Sequence, residues 1–292
     1  MAPFVFIMFS LYKKNVVQTA VKNLIRFMFG LSLNALSSSV FAIDAEPSSQ
    51  DSKESSLLQY THFSTAANFV QLVDELVVPI RHQGASGEVF MGHTVEDGVN
   101  KWNINLQAGY GVAESRLGTT AELYSFYSNV SWVKHAAYLG NLEEVSLYAG
   151  GFIQSGGKYQ FYPEIDESHL YWVMQYALGL QLDFELPMQQ NRRVNWRIKL
   201  PVVSALSRPL DNYLYNNDEP DIAIMLRRMN DNLSLVFPNR YIMLEGLMMF
   251  EYRLSKNLRQ HIGYKIEYEQ DSIIDKFQQV KHGVYLGVSA VW

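Results

Sequence analysis

The sequence predicts an all-β chain that closes into a transmembrane antiparallel β-barrel of about 12 strands, led in by a short N-terminal helix. Three observations carry the prediction. The chain ends on His282-Gly283-Val284-Tyr285-Leu286-Gly287-Val288-Ser289-Ala290-Val291-Trp292. Counting back in twos from Trp292 meets Ala290, Val288, Leu286 and Val284, while the other parity carries Ser289, Gly287 and Gly283. Such alternation describes a strand with one face in an apolar medium and the other in a polar one. Second, Ser168 to Leu186 places nine apolar residues in a row on one parity, from Leu170, Trp172 and Met174 to Phe184 and Leu186. That face is long enough for a tilted strand to cross hydrocarbon. Third, beyond residue 42 no apolar run reaches the length of a membrane helix, so the bilayer must be crossed by strands that satisfy one another's backbone groups in a closed ring.

The elements follow in chain order. Residues 1–42 hold Lys13, Lys14, Lys22 and Arg26 and no acid. A short apolar core, Phe27 to Leu33, comes next, and Val40-Phe41-Ala42 fits small-residue cleavage. This is the order of a secretory signal peptide, and the core is short for a membrane anchor. Removing those four basic residues from 24 leaves 20 Lys and Arg against 29 Asp and Glu, so the mature chain is acidic. That balance argues against a nucleic-acid partner. The absence of cysteine excludes disulfides and thiolate metal sites.

Residues 43–63 are polar and Ser-rich, and are expected to be a flexible periplasmic lead-in. The barrel domain is placed at 64–292. Its first segment, 64–77, carries Ala66, Phe69, Val70, Val73, Leu76 and Val77 at three- and four-residue spacing behind Ser64 or Thr65 as a cap, which predicts a helix. Strands are then predicted at 76–82, 87–93, 101–113, 121–136, 145–154, 169–186, 194–205, 221–229, 232–237, 241–254, 259–269 and 280–292. With Trp292 on the periplasmic side, the connections near 114–120, 155–168, 206–220 and 270–279 lie outside. They are longer on average than those near 139–144, 187–193, 230–231 and 255–258, as outer-membrane barrels require. The competing reading, a secreted β-sandwich, would have polar outer faces and shorter strands.

Candidate chemistry is sparse. His62 and Ser64 are two apart, so a strand would set both side chains on one face within reach for proton transfer. That is the spacing used by membrane-embedded lipid hydrolases, but it falls before the first confident strand and lacks their flanking residues. No Gly-x-Ser-x-Gly elbow is present. The acidic runs 163–169 and 218–221 can be read as divalent-cation or surface-binding loops, and more simply as solvated loops. His93, Glu96 and Asp97 would need folding to bring them together. No cofactor and no metal is expected. The polar parity of the later strands carries Arg197, Lys199, Glu245, Glu251, Arg253, Lys265 and Glu267, expected to face the lumen. Buried charges of both signs need partners. They either fill and close the interior or line a narrow aqueous path, and the first is favoured in so small a barrel.

Taken together, the terminal strand with Gly287 and Trp292 resembles the closing strand and assembly signal of bacterial outer-membrane β-barrels. The helix-then-barrel order is similar to the translocator domain of autotransporters, here without a passenger. The resemblance implies a solitary, monomeric, non-enzymatic barrel in the outer membrane with a structural or small-solute passage role. It implies outer-membrane lipid, lipopolysaccharide and the barrel-assembly machinery as partners. The autotransporter resemblance is architectural, and no self-cleaving residues are carried over.

Overall fold

The computed structural model describes residues 57–75, 78–139, 145–164, 171–188, 192–208, 233–272 and 276–292. Every regular element among them is a strand: β1 (Leu58–Asp74), β2 (Val78–Glu96), β3 (Asn100–Ser115), β4 (Thr120–Leu139), β5 (Val145–Phe161), β6 (Tyr171–Met188), β7 (Arg192–Ser207), β8 (Ser234–Val236), β9 (Tyr241–Ser255), β10 (Leu258–Asp271) and β11 (Phe277–Val291). Each long strand pairs antiparallel with its sequence neighbours, and β1 pairs with β11 from Tyr60↔Val291 to Asp74↔Phe277. The ring is therefore closed by ten strands, with β8 as an extra piece on the upper edge of β7. Following the ladder from His62 through β2 to β6 reaches Ser204 on β7. Going the other way through β11, β10 and β9 arrives beside Arg192. That offset of about a dozen residues around one circuit means strongly tilted strands.

The structure corrects several expectations. Residues 64–74 of the predicted helix are part of β1, and 76–77 lie outside the described residues: Ser64, Ala66, Asn68, Val70, Leu72 and Asp74 are buried inward, while Ala67 and Phe69 face out. The spacing of three and four came from apolar residues lying on both faces of one strand. A helix there would leave β2 and β11 as open edges in hydrocarbon, where unpaired backbone groups are costly. Residues 58–63 of the expected lead-in are likewise wall. The two predicted strands 76–82 and 87–93 are one strand, β2, because Gly84 and Gly87 stay within the ladder. Twelve strands thus become ten in the ring plus β8. The predicted strand 221–229 and the turn 230–231 lie outside the described residues, as do the signal peptide and residues 43–56.

The outward faces form one apolar band. Ile104, Leu106, Phe126, Val130, Leu178, Leu180, Met248, Ile262, Ile266, Val284 and Leu286 are all exposed. Aromatic pairs bound it on both sides. At one end Trp102 meets Trp132 with centroids 6.0 Å apart, and Phe184 meets Trp196 at 6.2 Å. At the other, Tyr124 sits between Tyr110 at 5.1 Å and Tyr159 at 6.1 Å. Trp102 and Tyr110 share β3, so the two girdles stand roughly 20 Å apart along the barrel axis at the usual tilt and rise per residue. A closed ring with such a band is a membrane-spanning barrel of the outer-membrane kind. Both described ends of the chain lie at the Trp102 end, with the strand ends that bracket the short segments 97–99, 140–144, 189–191 and 256–257. The strand ends that bracket the longer segments 162–170 and 208–233 stand at the opposite end, called outer below because the longer connections of outer-membrane barrels face outward. Gly98 and Gly118 sit in turns at φ 82 and φ 80, a region that side-chain-bearing residues enter only with strain.

Candidate functional site

The inward faces converge on a lumen with three different fillings. The outer end is apolar. Val70, Leu72, Ala113, Ala121, Leu123, Tyr162 and Tyr171 pack as one cluster, and Val173, Leu206, Val236, Tyr241 and Met243 as a second. Arg208, at the end of β7, reaches across to Asp74 at 2.7 Å and Asp271 at 3.2 Å. The two carboxylates stand at the outer ends of β1 and β10, the strands that flank β11.

The middle is an ion network. Lys158 Nζ lies 3.1 Å from Glu267, donates to Gln279 Oε1 at 2.6 Å and also contacts Glu269. Lys265 lies 3.3 Å from Glu88, 3.4 Å from Glu267 and 3.9 Å from Glu245. Lys281 takes the other Glu88 oxygen at 3.1 Å. Lys199 is 3.6 Å from Glu245 and donates to Asn129 Oδ1 at 3.2 Å. The charges come from β2, β5, β7, β9, β10 and β11, so the network ties opposite walls together. Sharing Glu88, Glu245 and Glu267 each between two cations offsets the desolvation that makes isolated buried charges so unfavourable.

Toward the inner end a cavity of about 100 Å³ opens, lined among others by Tyr60, His62, Asn105, Arg197, Glu251 and His261. Arg197 pairs with Asp183 at 3.1 Å, and Arg193 with Glu251 at 2.7 Å. Asn195 also donates to Glu251, at 2.6 Å. Lys101 lies 2.5 Å from Glu185 and over the Tyr148 ring. The cavity is a polar space walled by paired charges, and the ion network and apolar clusters lie between it and the outer strand ends.

Six of the seven predicted lumen charges stand inside: Arg197, Lys199, Glu245, Glu251, Lys265 and Glu267. Arg253 does not. It is exposed at the inner turn, donating to the carbonyls of Ser255 at 3.1 Å and Lys256 at 3.2 Å. It keeps lumen parity, but it is close enough to the strand end for its long side chain to leave for the turn. Sequence reading missed Asp74, Glu88, Lys158, Arg208 and Lys281. Lys158 was hidden because β5 runs to Phe161, beyond the strand end predicted at 154. Its parity with Gln154 and Gln160 was the available signal.

His62 and Ser64 both face the lumen from β1, but they do not bond to one another. His62 Nε2 meets Asn105 Oδ1 at 2.8 Å, and Ser64 Oγ meets His261 Nε2 at 2.8 Å. Each bond skips a strand, and each passes over a glycine: Gly92 pairs with both His62 and Asn105, and Gly287 with both Ser64 and His261. A Cβ at either glycine would strike the bonded atoms. Gly287, expected as an assembly signal, is therefore also a window in the wall. Trp292 is 77% exposed, and its amide donates to the Gln59 carbonyl at 2.9 Å.

His93, Glu96 and Asp97 stay apart. His93 bonds Thr61 at 3.1 Å, Glu96 lies 3.4 Å from Lys101, and Asp97 caps its own turn. Among the described residues no group of three metal-ligating side chains occurs. Of the first acidic run, Glu164 accepts from the Thr120 amide at 2.9 Å. Residues 165–169 and 218–221 lie outside the described residues.

No family model and no curated protein matches the chain. Solved structures resemble it in fold. The outer membrane protease OmpT from Escherichia coli superposes with a TM-score of 0.47 at 7% identity, over 83% of this chain and 99% of that one. The translocator domain of autotransporter NalP from Neisseria meningitidis gives 0.39 at 10%, over 93% and 97%. Neisserial surface protein A gives 0.34 at 11%, over 79% and 96%.

Proposed function

We propose that this chain is a monomeric, non-enzymatic outer-membrane barrel whose lumen is closed by its own side chains, and that it serves as a scaffold displaying its outer connections. The observation that carries the reading is the Lys158–Glu267–Lys265–Glu88–Lys281 network spanning the lumen below two apolar clusters. An aqueous path needs a continuous hydrated column. Here the charges are spent on each other. The purified protein in planar bilayers is expected to carry no stepwise current, and a steady ohmic conductance would overturn the scaffold reading in favour of small-solute passage.

Outer-membrane lipid and lipopolysaccharide surround the band in this reading, and the barrel-assembly machinery engages β11 during insertion. The outer connection between β7 and β8 is the longest and contains Asp211, Asp218, Glu219 and Asp221. It is the surface through which a binding role would act. A lipid hydrolase built on His62 and Ser64 is disfavoured because each is bonded elsewhere and both face away from lipid. Phospholipid or lipid A turnover that disappears in Ser64→Ala would reverse that judgement.

A further inference from the structure

The cavity near the inner end has two unlike walls. One is apolar. Ala66, Leu247 and Tyr285 form a buried cluster with Phe90 and Met249 packed against it, and all of these but Ala66 line the cavity. Phe90 meets Tyr285 edge-on, with centroids 5.2 Å apart. The other wall is polar, with Asn105 and Gln107 from β3 and Arg197 and Lys199 from β7. The ladders set the two walls side by side. Gln107 pairs with Phe90 across β2 and β3, and Arg197 pairs with Leu247 across β7 and β9. The lining runs on to Tyr60, Glu185 and Ser289, close to the inner strand ends, so the cavity faces that side.

Hydrogen-bonding capacity on the polar wall is unevenly used. Arg197 gives Nε and Nη2 to Asp183 at 3.1 and 3.2 Å, and its Nη1 has no partner among the described residues. Asn105 engages His62 through Oδ1, and its Nδ2 has no partner among them either. Gln107 Nε2 is buried without a partner. Lys199 is loosely held, 3.6 Å from Glu245, a carboxylate that Lys265 shares at 3.9 Å. The carboxylates of the lining are all engaged. Asp183 takes Arg197, Glu185 takes Lys101 and Arg193, and Glu251 takes Arg193 and Asn195. Among the lining residues, Asn195 Oδ1 is the one acceptor buried without a partner. Spare N–H groups in a desolvated site favour an acceptor, and a charged one most of all.

We propose that the cavity binds a carboxylate of about two or three carbons, with its oxygens on Arg197, Asn105 and Gln107 and its alkyl end on Phe90, Leu247 and Tyr285. Size limits the class. A space of about 100 Å³ holds about three waters at ~30 Å³ each, and a short carboxylate takes their place. A planar oxyanion suits a guanidinium edge flanked by amide N–H groups. The apolar wall shelters the alkyl end from water. The ion network lies beyond the cavity, so the ligand enters and leaves by the inner end. Binding needs no conduit through the barrel, and the site stands or falls independently of the conductance measurement.

The test uses the folded full chain in deuterated detergent micelles and saturation-transfer NMR on the methyl protons of propionate. Saturable transfer is expected with a Kd on the order of 1 mM, within what about five heavy atoms can supply. Acetate should displace propionate, and acetamide, of the same shape without the charge, should not. Formate lacks the alkyl end and should compete about fourfold less well than acetate. Gln107→Leu removes an amide nitrogen that bonds nothing else in the barrel. It should weaken binding about tenfold and leave the urea unfolding midpoint unchanged or raised, which reports a folded barrel. Phe90→Trp fills the cavity from its apolar side and should abolish transfer. No saturable transfer at about ten times the expected Kd would overturn the proposal. So would acetamide or chloride competing as well as acetate, formate matching acetate, or binding indifferent to either variant.

Discussion

Replacing Glu88 by Gln tests whether the lumen network is a mutual accounting of charge. Glu88 holds Lys265 at 3.3 Å and Lys281 at 3.1 Å, and its side chain is 1% exposed. Lys265 keeps Glu267 and Glu245 after the change. Lys281 has no other carboxylate within ion-pair distance among the described residues. Its ammonium is left buried with only a neutral amide, and removing one partner of a buried pair costs about 3–5 kcal/mol. Lys265→Met is predicted to cost less, about 1–3 kcal/mol, because Glu88 retains Lys281, Glu267 retains Lys158 and Glu245 retains Lys199. Adding Lys281→Met to Glu88→Gln removes the orphaned cation and should return a large part of the loss. The three variants and the wild type are compared by urea unfolding in vesicles, followed by tryptophan emission. A neutral Glu88→Gln, or a double variant no more stable than it, would refute the reasoning.

Three further outcomes follow from the same geometry. Asp97 in the β2–β3 turn accepts from the Asn100 side chain and from the amides of Asn100 and Val99, which holds its carboxyl below the usual carboxylate range. A lowered folded value stabilises the turn above the ordinary carboxylate pKa and is lost as pH falls through the folded one. The protection of the Val99 and Asn100 amides relative to their intrinsic exchange rates should therefore fall on acidification, and Asp97→Asn should flatten that dependence. Gly287→Ala drives a methyl into the Ser64–His261 bond and should destabilise the barrel by about 1–3 kcal/mol, seen as a lower unfolding midpoint. Trp132→Ala removes one half of an inner-girdle pair and should lower insertion yield into vesicles more than Leu117→Ala, whose side chain is 75% exposed in an outer turn.

Much of the wall was legible because a barrel strand meets two solvents, and the record of that is written residue by residue. The alternation over β6, β9, β10 and β11 holds in the structure as the parity of each segment requires. Where the pattern failed, the cause was the lumen itself. The outer end of this interior is apolar, so Val70 and Leu72 point inward while Phe69 points out, and β1 carries apolar residues on both faces. That mixture imitates a helical stripe. Glycines misled in a different way. Gly84 reads as a breaker, yet it sits inside a continuous ladder where the β3 backbone at Val112 and Ala113 comes too close for a side chain. The ion network was half visible. Lys265 and Glu267 announce themselves on a clear strand, whereas their partners Lys158 and Glu88 sit where strand ends were drawn too short or too weakly.

The pairing of β1 with β11 sets a condition on biogenesis. The cylinder's final seam joins Tyr60 to Val291, so the first strand waits for the last one before it has a second neighbour. Until the ribosome has finished, two sticky borders exist and neither can be sealed by local folding. Contacts of such long sequence separation form slowly. A chain clipped of either terminal strand loses this seam and leaves a wall strand with one unpaired edge in hydrocarbon.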